Sequence, residues 1–181
     1  VKYHRQFCLA LVFDTEVGQM CEQLFSKSDV LTGGDGVLEQ LYWQNNKIEG
    51  NSRPVIVATT TTQFGQRSSD NLRATHRQDA ANERRLRTIG QQIATHVCML
   101  MAKGSEQLAQ RLEAAIVDRK LNFWKFSRSS RSPFVGMRCL PVSTQPPFVL
   151  AGDYLADAST FGGCARSARA AADCVVRQLL P

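Results

Sequence analysis

The chain has 181 residues, of which 43% are hydrophobic, and a formal net charge of +6. A chain of this length and composition can bury a sizeable core, so a disordered tail is excluded and one globular domain, or one and a half, is expected. The sequence contains no run of about 18 apolar residues, and its first residues alternate between polar and apolar types. It therefore predicts a soluble, cytoplasmic protein without a membrane partner.

The six cysteines and three histidines are scattered along the sequence. Because they form no C-x-x-C pair and no ligand spacing, the sequence predicts no metal site, and the cysteines are interpreted as free thiols in a reducing compartment. The positive charge suits an anionic partner, such as nucleic acid, a membrane surface or a phosphate-bearing small molecule. The densest basic segments, 84–87 and 125–131, are interpreted as solvated surface, which disfavours nucleic acid.

Three strands are predicted in the first third of the chain. Residues 1–13 alternate with a period of two, residues 37–44 follow a glycine-rich turn, and residues 54–62 form a β-branched run. A small mixed or antiparallel sheet is therefore expected. The chain opens inside a strand, which suggests that a segment precedes it. Residues 66–78 are polar and rich in breakers, so they predict a loop.

Helices alternate with strands in the remaining sequence. Apolar residues at spacings of three and four predict an amphipathic helix near 79–103 and a shorter one near 105–118, with Ser105 as its N-cap. An aromatic-rich strand is expected near 121–127. The chain then closes with a strand and a helix within 146–181.

The most informative segment, residues 148–172, joins an apolar strand, Gly-Asp, a polar loop, two glycines and an alanine-rich helix. A helix N-terminus carries unpaired N–H groups and about half a positive charge, so it suits an anion. Gly162 and Gly163 would let a flat ligand approach that N-terminus closely. Asp153, at the carboxyl end of the strand, is placed to accept hydrogen bonds from sugar hydroxyls. The alanines of the helix, Ala165, Ala168 and Ala172, are expected to pack on a sheet.

In the order of its parts, this segment resembles the C-terminal FAD fingerprint of the renalase and flavin amine-oxidase group. Residues 55–65, VIVATTTTQFG, are similar to the family's Thr-rich strand end and Phe-Gly, and residues 123–127, FWKFS, are similar to its Trp-Arg-Tyr-Ser strand. The resemblance covers most of the chain and is loose over 1–50. The sequence departs from the family pattern at Lys125 and Phe126, and in a longer region 66–120.

The resemblance implies an α+β fold that is a fragment of an α/β flavoprotein. Residues 1–145 would form part of a substrate domain, a small mixed sheet with helices, and residues 146–181 the last strand and helix of a Rossmann-like FAD-binding domain. The implied FAD-binding residues lie at the strand end and the helix start: Gly152, Asp153, Thr160, Phe161, Gly162 and Gly163. Aromatic and small residues near the strand ends, Thr60, Phe64, Trp124 and Trp43, are candidates for a substrate pocket, with core packing as the alternative for both tryptophans.

The function that the resemblance implies is that of an FAD-dependent oxidoreductase. Its substrate would be a small molecule related to NAD(P)H, a dihydronicotinamide dinucleotide isomer, or an amine, with oxygen as the acceptor. Since the flavin performs the chemistry, no catalytic residue is predicted. Hydrolase signatures such as G-x-S-x-G and H-E-x-x-H do not occur in the sequence.

A G-x-G-x-x-G motif after a strand is missing from the sequence, so the N-terminal dinucleotide-binding segment that would hold the other half of FAD is not part of it. The chain is therefore expected to be the C-terminal part of a longer protein or a truncated relative that has lost the cofactor. The alternative function is a non-catalytic module that binds a partner or nucleic acid through its basic face.

Overall fold

A five-stranded antiparallel sheet dominates the part of the chain that the computed structural model describes, which comprises residues 2–45, 53–70, 72, 80–131, 136–155 and 161–179. Within these residues the strands are β1 (Lys2–Phe13), β2 (Val30–Thr32), β3 (Leu38–Trp43), β4 (Val55–Thr60), β5 (Ile116–Arg131), β6 (Leu140–Thr144) and β7 (Pro147–Leu150). The α-helices are α1 (Gly18–Leu24), α2 (Thr62–Ser69), α3 (Ala80–Met101), α4 (Glu106–Ala114) and α5 (Phe161–Leu179). The α+β class is confirmed.

The strand order in the large sheet is β2-β3-β4-β1-β5. In the central pair, Cys8 lies opposite Thr59, and in the next pair Leu41 lies opposite Ala58, both antiparallel. The antiparallel alternative is thus confirmed, and a mixed sheet is wrong. Short turns such as the one between β2 and β3 can join only antiparallel neighbours, whereas parallel strands need a long crossover.

The chain divides into two compact units, Arg5–Trp124 and a second unit of Val1–His4 with Lys125–Pro181. In the larger unit, the alternation of β1 buries one face completely, and α3 packs on the sheet with a stripe of buried residues. The largest core side chains from these two elements are Phe7, Leu9, Leu11, Phe13, Ile93 and Val97. Burial of each such side chain stabilises the fold by about 1.5–3 kcal/mol, so this sheet and helix form the main core.

Several elements differ from the sequence-based expectation, and α1, β2 and β6 were not predicted. The expected loop 66–78 begins inside α2, which starts after Thr61 because the Thr61 hydroxyl accepts a hydrogen bond from the Phe64 N–H at 3.2 Å. The helix expected over 105–118 ends at Ala114, and residues from Ile116 onwards belong to β5. The β-branched pair Ile116 and Val117 favours a strand.

The smaller unit contains a hairpin of β6 and β7, in which Leu140 lies opposite Leu150, and the helix α5 packed on it. The expected strand near 148–151 and the C-terminal helix are both present. In the described residues β7 pairs with β6 in a two-stranded antiparallel sheet. Membership of 146–181 in a Rossmann-like FAD domain therefore stays a prediction, as does the substrate-domain assignment of 1–145.

The packed face of α5 is not the expected one. Ala165, Ala168 and Ala172 are exposed, whereas Gly163 and Ser167 are buried. Helix spacing allows either face to be apolar, but hydrogen bonds of Ser167 turn its side towards the hairpin. Among the described residues, no helix combines the length and the apolar character needed to cross a bilayer.

Candidate cofactor site

The chain reverses sharply at the carboxyl end of β7. Gly152 has φ of 150°, a backbone conformation that residues with a Cβ rarely adopt. Asp153 then begins a single turn of 3-10 helix, and the Leu155 N–H donates to the Gly152 carbonyl at 3.1 Å. Leu155 is buried, so it anchors this turn and fixes the position from which the Asp153 carboxylate projects.

A buried serine ties this turn to α5. The Ser167 hydroxyl accepts a hydrogen bond from the Gly152 N–H at 3.0 Å and donates one to the Arg138 carbonyl at 2.6 Å. Only 1% of Ser167 is exposed, so both partners depend on it for their hydrogen bonds. Sequence analysis missed this residue. Its signal was a small polar residue four positions after Gly163, which places both on one helix face.

The first turn of α5 is open on one side. Phe161 is 91% exposed, and a Cβ added to Gly162 would meet the Arg166 guanidinium at 3.6 Å. Gly163 is buried on the side of α5 that carries Ser167. The structure thus joins the Gly152–Asp153 turn to α5 at Ser167, six residues after the helix start, while the role of Gly152, Asp153, Phe161, Gly162 and Gly163 in a cofactor site stays a prediction. Thr160 lies outside the described residues.

The positive charge is concentrated in the smaller unit. Val1–His4 with Lys125–Pro181 contains eight lysines and arginines and three aspartates, a formal net charge of +5 out of +6 for the whole chain. Arg166, Arg169 and Arg177 all lie on α5. A charge of this sign attracts phosphate groups, and the dipole at a helix N-terminus acts in the same direction.

These groups fit the chemistry of FAD. A carboxylate at a strand end can accept hydrogen bonds from ribityl hydroxyls, and a helix start with two glycines offers N–H donors to the electron-rich edge of a flat ring. The open side of Gly162 leaves the space that such an approach needs, because Arg166, whose side chain is flexible, is what a Cβ there would meet.

The candidates for the substrate pocket lie in different environments. Thr60 is fully buried, and its hydroxyl accepts a hydrogen bond from the Phe7 N–H at 3.0 Å. Phe64 is also buried and contacts the Phe7 ring edge-on at 6.3 Å. Trp124 is 54% exposed. The structure therefore brings Thr60 and Phe64 together around Phe7, while their role and that of Trp124 in a substrate pocket stay predictions.

The two tryptophans differ in burial. Trp43 is buried and stacks on Phe25 with ring centroids 5.6 Å apart, which confirms core packing for this residue. Trp124 is exposed, so core packing is wrong for it, whereas its neighbour Phe123 packs against the core. The difference follows from the alternation of side chains along β5. A shallow open cleft borders the Trp43 stack and is rimmed by Lys27 and Asp29.

An Asp-His pair, which sequence analysis also missed, joins the turn before β3 to α3. His96 Nδ1 lies 2.6 Å from Asp35 Oδ2, and the other Asp35 oxygen accepts the N–H groups of Val37 and Leu38. Partial burial alone would raise the pKa of Asp35, but the two backbone hydrogen bonds and His96 together lower it. Within the described ranges, no cluster of three or more potential metal ligands occurs.

No protein-family model matches the chain, and no curated protein matches it. The resemblance to the renalase and flavin amine-oxidase group therefore depends on the motifs of the sequence. The structure adds the hydrogen bonds of Ser167 to Gly152 and Arg138, which no motif of the sequence contains.

Proposed function

We propose that the chain supplies the C-terminal, flavin-facing part of an FAD-dependent oxidoreductase of the renalase type. The observation that carries the proposal is the Gly152–Asp153 turn, which Ser167 holds against the early part of α5. This hydrogen bond ties the turn that carries Asp153 to α5, six residues after the helix start, before any ligand binds. Preorganised groups of this kind lose little entropy on binding.

Each residue of the site has a separate task in this proposal. Asp153 accepts hydrogen bonds from ribityl hydroxyls, while the first N–H groups of α5 donate to the pyrimidine edge of the flavin. Gly162, which is exposed, allows the ring to approach these donors closely, whereas Gly163 is buried on the side of α5 that carries Ser167. The partial positive charge of the helix start stabilises negative charge on that edge.

When bound, FAD supplies the hydride acceptor, and oxygen as the final acceptor yields hydrogen peroxide. The reduced substrate would be a dihydronicotinamide dinucleotide isomer, whose phosphates suit the net charge of +5 on the smaller unit, or an amine. We assign no acid-base residue, since the protein's contribution is position and electrostatics.

An uncovered apolar stripe on α5 also supports the proposal. The stripe faces away from the hairpin and consists of exposed residues at helical spacing: Phe161, Ala165, Ala168, Ala172, Val176 and Leu179. An apolar stripe of five turns normally packs against another element. A dinucleotide-binding segment, which would complete the FAD site, is the element that the proposal places there.

The decisive experiment asks whether the longest natural form of the protein is purified with flavin. A yellow protein with an absorbance band at about 450 nm is expected. Replacement of Asp153 by alanine should weaken FAD binding roughly tenfold to a hundredfold, the equivalent of about 1.5–3 kcal/mol. Asp173→Ala, which removes an exposed carboxylate from α5, is the matched control.

Gly162→Val tests the helix start, because Gly162 is exposed whereas Gly163 is buried on the side that carries Ser167. A β-branched side chain on the exposed side would displace the ring, so we expect lost or misplaced flavin with an unchanged circular dichroism spectrum. Ala172→Val places the same side chain on the exposed face of α5 and should retain flavin. If Asp153→Ala and Gly162→Val both hold FAD with normal affinity and reduction potential, the site assignment is wrong.

A second candidate function, a cofactor-free module that binds an anionic partner, has an observation of its own. Phe126 is 65% exposed, the Tyr3 ring meets it edge-on at 5.6 Å, and Lys125 Nζ lies 5.4 Å from its centroid. An exposed ring beside lysine is typical of surfaces that stack on single-stranded nucleic acid. A colourless protein that binds a single-stranded oligonucleotide, and loses this binding in Phe126→Ala, would favour this candidate over the flavoprotein.

A further inference from the structure

One polar side chain is buried in the described part of the smaller unit. It is Ser167 on α5, which is only 1% exposed. A hydroxyl that is removed from water lowers the stability of a fold unless it is hydrogen-bonded, and a methyl group would fill nearly the same volume without this cost. What distinguishes Ser167 from an alanine at this position is therefore its pair of hydrogen bonds.

Both hydrogen bonds of Ser167 reach the open end of the β6–β7 hairpin. The hydroxyl donates to the Arg138 carbonyl at 2.6 Å and accepts the Gly152 N–H at 3.0 Å. In the hairpin Leu140 lies opposite Leu150, and continuation of this antiparallel register places Arg138 opposite Gly152. Ser167 thus bridges two cross-strand neighbours directly beyond the last residues of the two-stranded sheet.

The peptide groups next to Gly152 connect Ser167 to the carboxylate of the candidate site. The Gly152 N–H is held by Ser167, and the Gly152 carbonyl accepts the Leu155 N–H at 3.1 Å. Leu155 is buried, so both sides of Gly152 are anchored. Asp153 follows directly and opens the single turn of 3-10 helix. The direction in which its side chain leaves the backbone therefore depends on these two anchors.

We propose that Ser167 is a positioning residue of the flavin site, which acts through Asp153. Its hydroxyl fixes the peptide group of Gly152 and thereby places the Asp153 carboxylate for the ribityl hydroxyls. This inference rests on the proposed function, in which Asp153 binds the cofactor. Ser167 is buried and its only proton is used by Arg138, so it makes no contact with the flavin itself. A small displacement of a binding group is enough to weaken the interactions that it makes.

A double-mutant cycle on FAD binding tests this proposal in the longest natural form of the protein. Ser167→Ala should weaken FAD binding roughly threefold to tenfold, which is less than Asp153→Ala. In the Asp153→Ala background, Ser167→Ala should change the dissociation constant by no more than about twofold, because no carboxylate is left to position. An equal loss in both backgrounds would overturn the proposal, since Ser167 would then support the fold without acting through Asp153.

Cys174→Ala is the matched control for a general loosening of α5. Cys174 is half-buried and lies about two helical turns after Ser167, so both side chains share one face of the helix. This substitution removes a small side chain but leaves the hydrogen bonds of Gly152 in place, so FAD affinity should not change. A loss as large as that of Ser167→Ala would show that any disturbance of this face weakens binding, and would overturn the specific role of Ser167.

Two measurements on the unaltered protein separate failure of the inference from failure of the proposed function. A parent protein that binds no flavin would contradict the proposed function and, with it, the role of Ser167. A parent that binds flavin but gives an additive cycle would contradict the role of Ser167 alone. In the flavin-free parent, the Gly152 amide should already exchange slowly with solvent. Fast exchange there would show that Ser167 does not hold the turn, and would overturn the inference without any variant.

Discussion

The two units of the chain differ in how completely they bury their apolar residues. In Arg5–Trp124, β1, β4 and α3 supply fully buried side chains to one continuous core. In the smaller unit, Leu155 is the buried large hydrophobic residue among those described, whereas Phe126, Phe148 and Phe161 are largely exposed. The larger unit is therefore stabilised by its own core, and the smaller one depends on hydrogen bonds and leaves apolar surface available to a partner or cofactor.

The strongest test of this difference removes one aromatic ring from each unit. Phe7→Ala should destabilise the protein by about 3–5 kcal/mol, because Phe7 is fully buried between Phe64 and Phe123. Phe148→Ala should change the free energy of unfolding by about 0.5 kcal/mol or less, since its ring is mostly in solvent. Urea denaturation measures both, and equal losses would show that Phe148 is covered in solution.

A smaller loss of stability is expected from a substitution where α2 approaches β1. A Cβ on Gly65 would overlap the Arg5 carbonyl oxygen, so Gly65→Ala should cost roughly 3 kcal/mol through overpacking. Gly90→Ala is the control, because its Cβ would make only ordinary contact with Leu121 and alanine favours a helix. Thermal unfolding should move in opposite directions for the two variants. A stable Gly65→Ala would mean that α2 can move away from β1.

Ser167 tests the dependence of the smaller unit on hydrogen bonds. Ser167→Ala leaves the Gly152 N–H and the Arg138 carbonyl without their partner, at a cost of about 1–3 kcal/mol. Amide hydrogen exchange at Gly152 should speed up in this variant while exchange in β1 and β4 stays slow. Ser143→Ala, which removes the hydroxyl in β6 that accepts the Gln145 N–H, should leave Gly152 exchange unchanged. Faster exchange throughout the chain would contradict the separation of the two units.

The smallest effect on stability is expected from substitutions in the Asp35–His96 pair. Because the folded-state pKa of Asp35 lies below its usual 3.8, its contribution to stability is present above that value and is lost as the pH falls through the lower folded-state pKa. The stability difference between the parent and Asp35→Asn should thus be constant at neutral pH and shrink below about pH 4. His96→Ala should retain part of this pH dependence, since the N–H groups of Val37 and Leu38 remain. A difference that grows on acidification would contradict this sign.

Much of the fold could be predicted because it is local. Some signals depend only on residues that are close together in the sequence. They are the period of two in β1, the period of 3.6 in α3, and the Ser105 cap, whose hydroxyl accepts the Leu108 N–H. The same holds for part of the candidate site. The glycines and Asp153 stand in one continuous motif, so their neighbourhood in the structure follows from chain connectivity.

The sequence by itself thus determined the α+β class and the elements with a clear period, such as β1 and α3, but not α1, β2 or β6. Tertiary structure decided the antiparallel strand order, the face of α5 that packs, and the contacts of Ser167 and of Asp35 with His96. The physical reason is the distance along the chain between the residues that interact. A period reports which residues can share a face, but several partners can cover that face, and the choice depends on contacts between residues far apart in the chain.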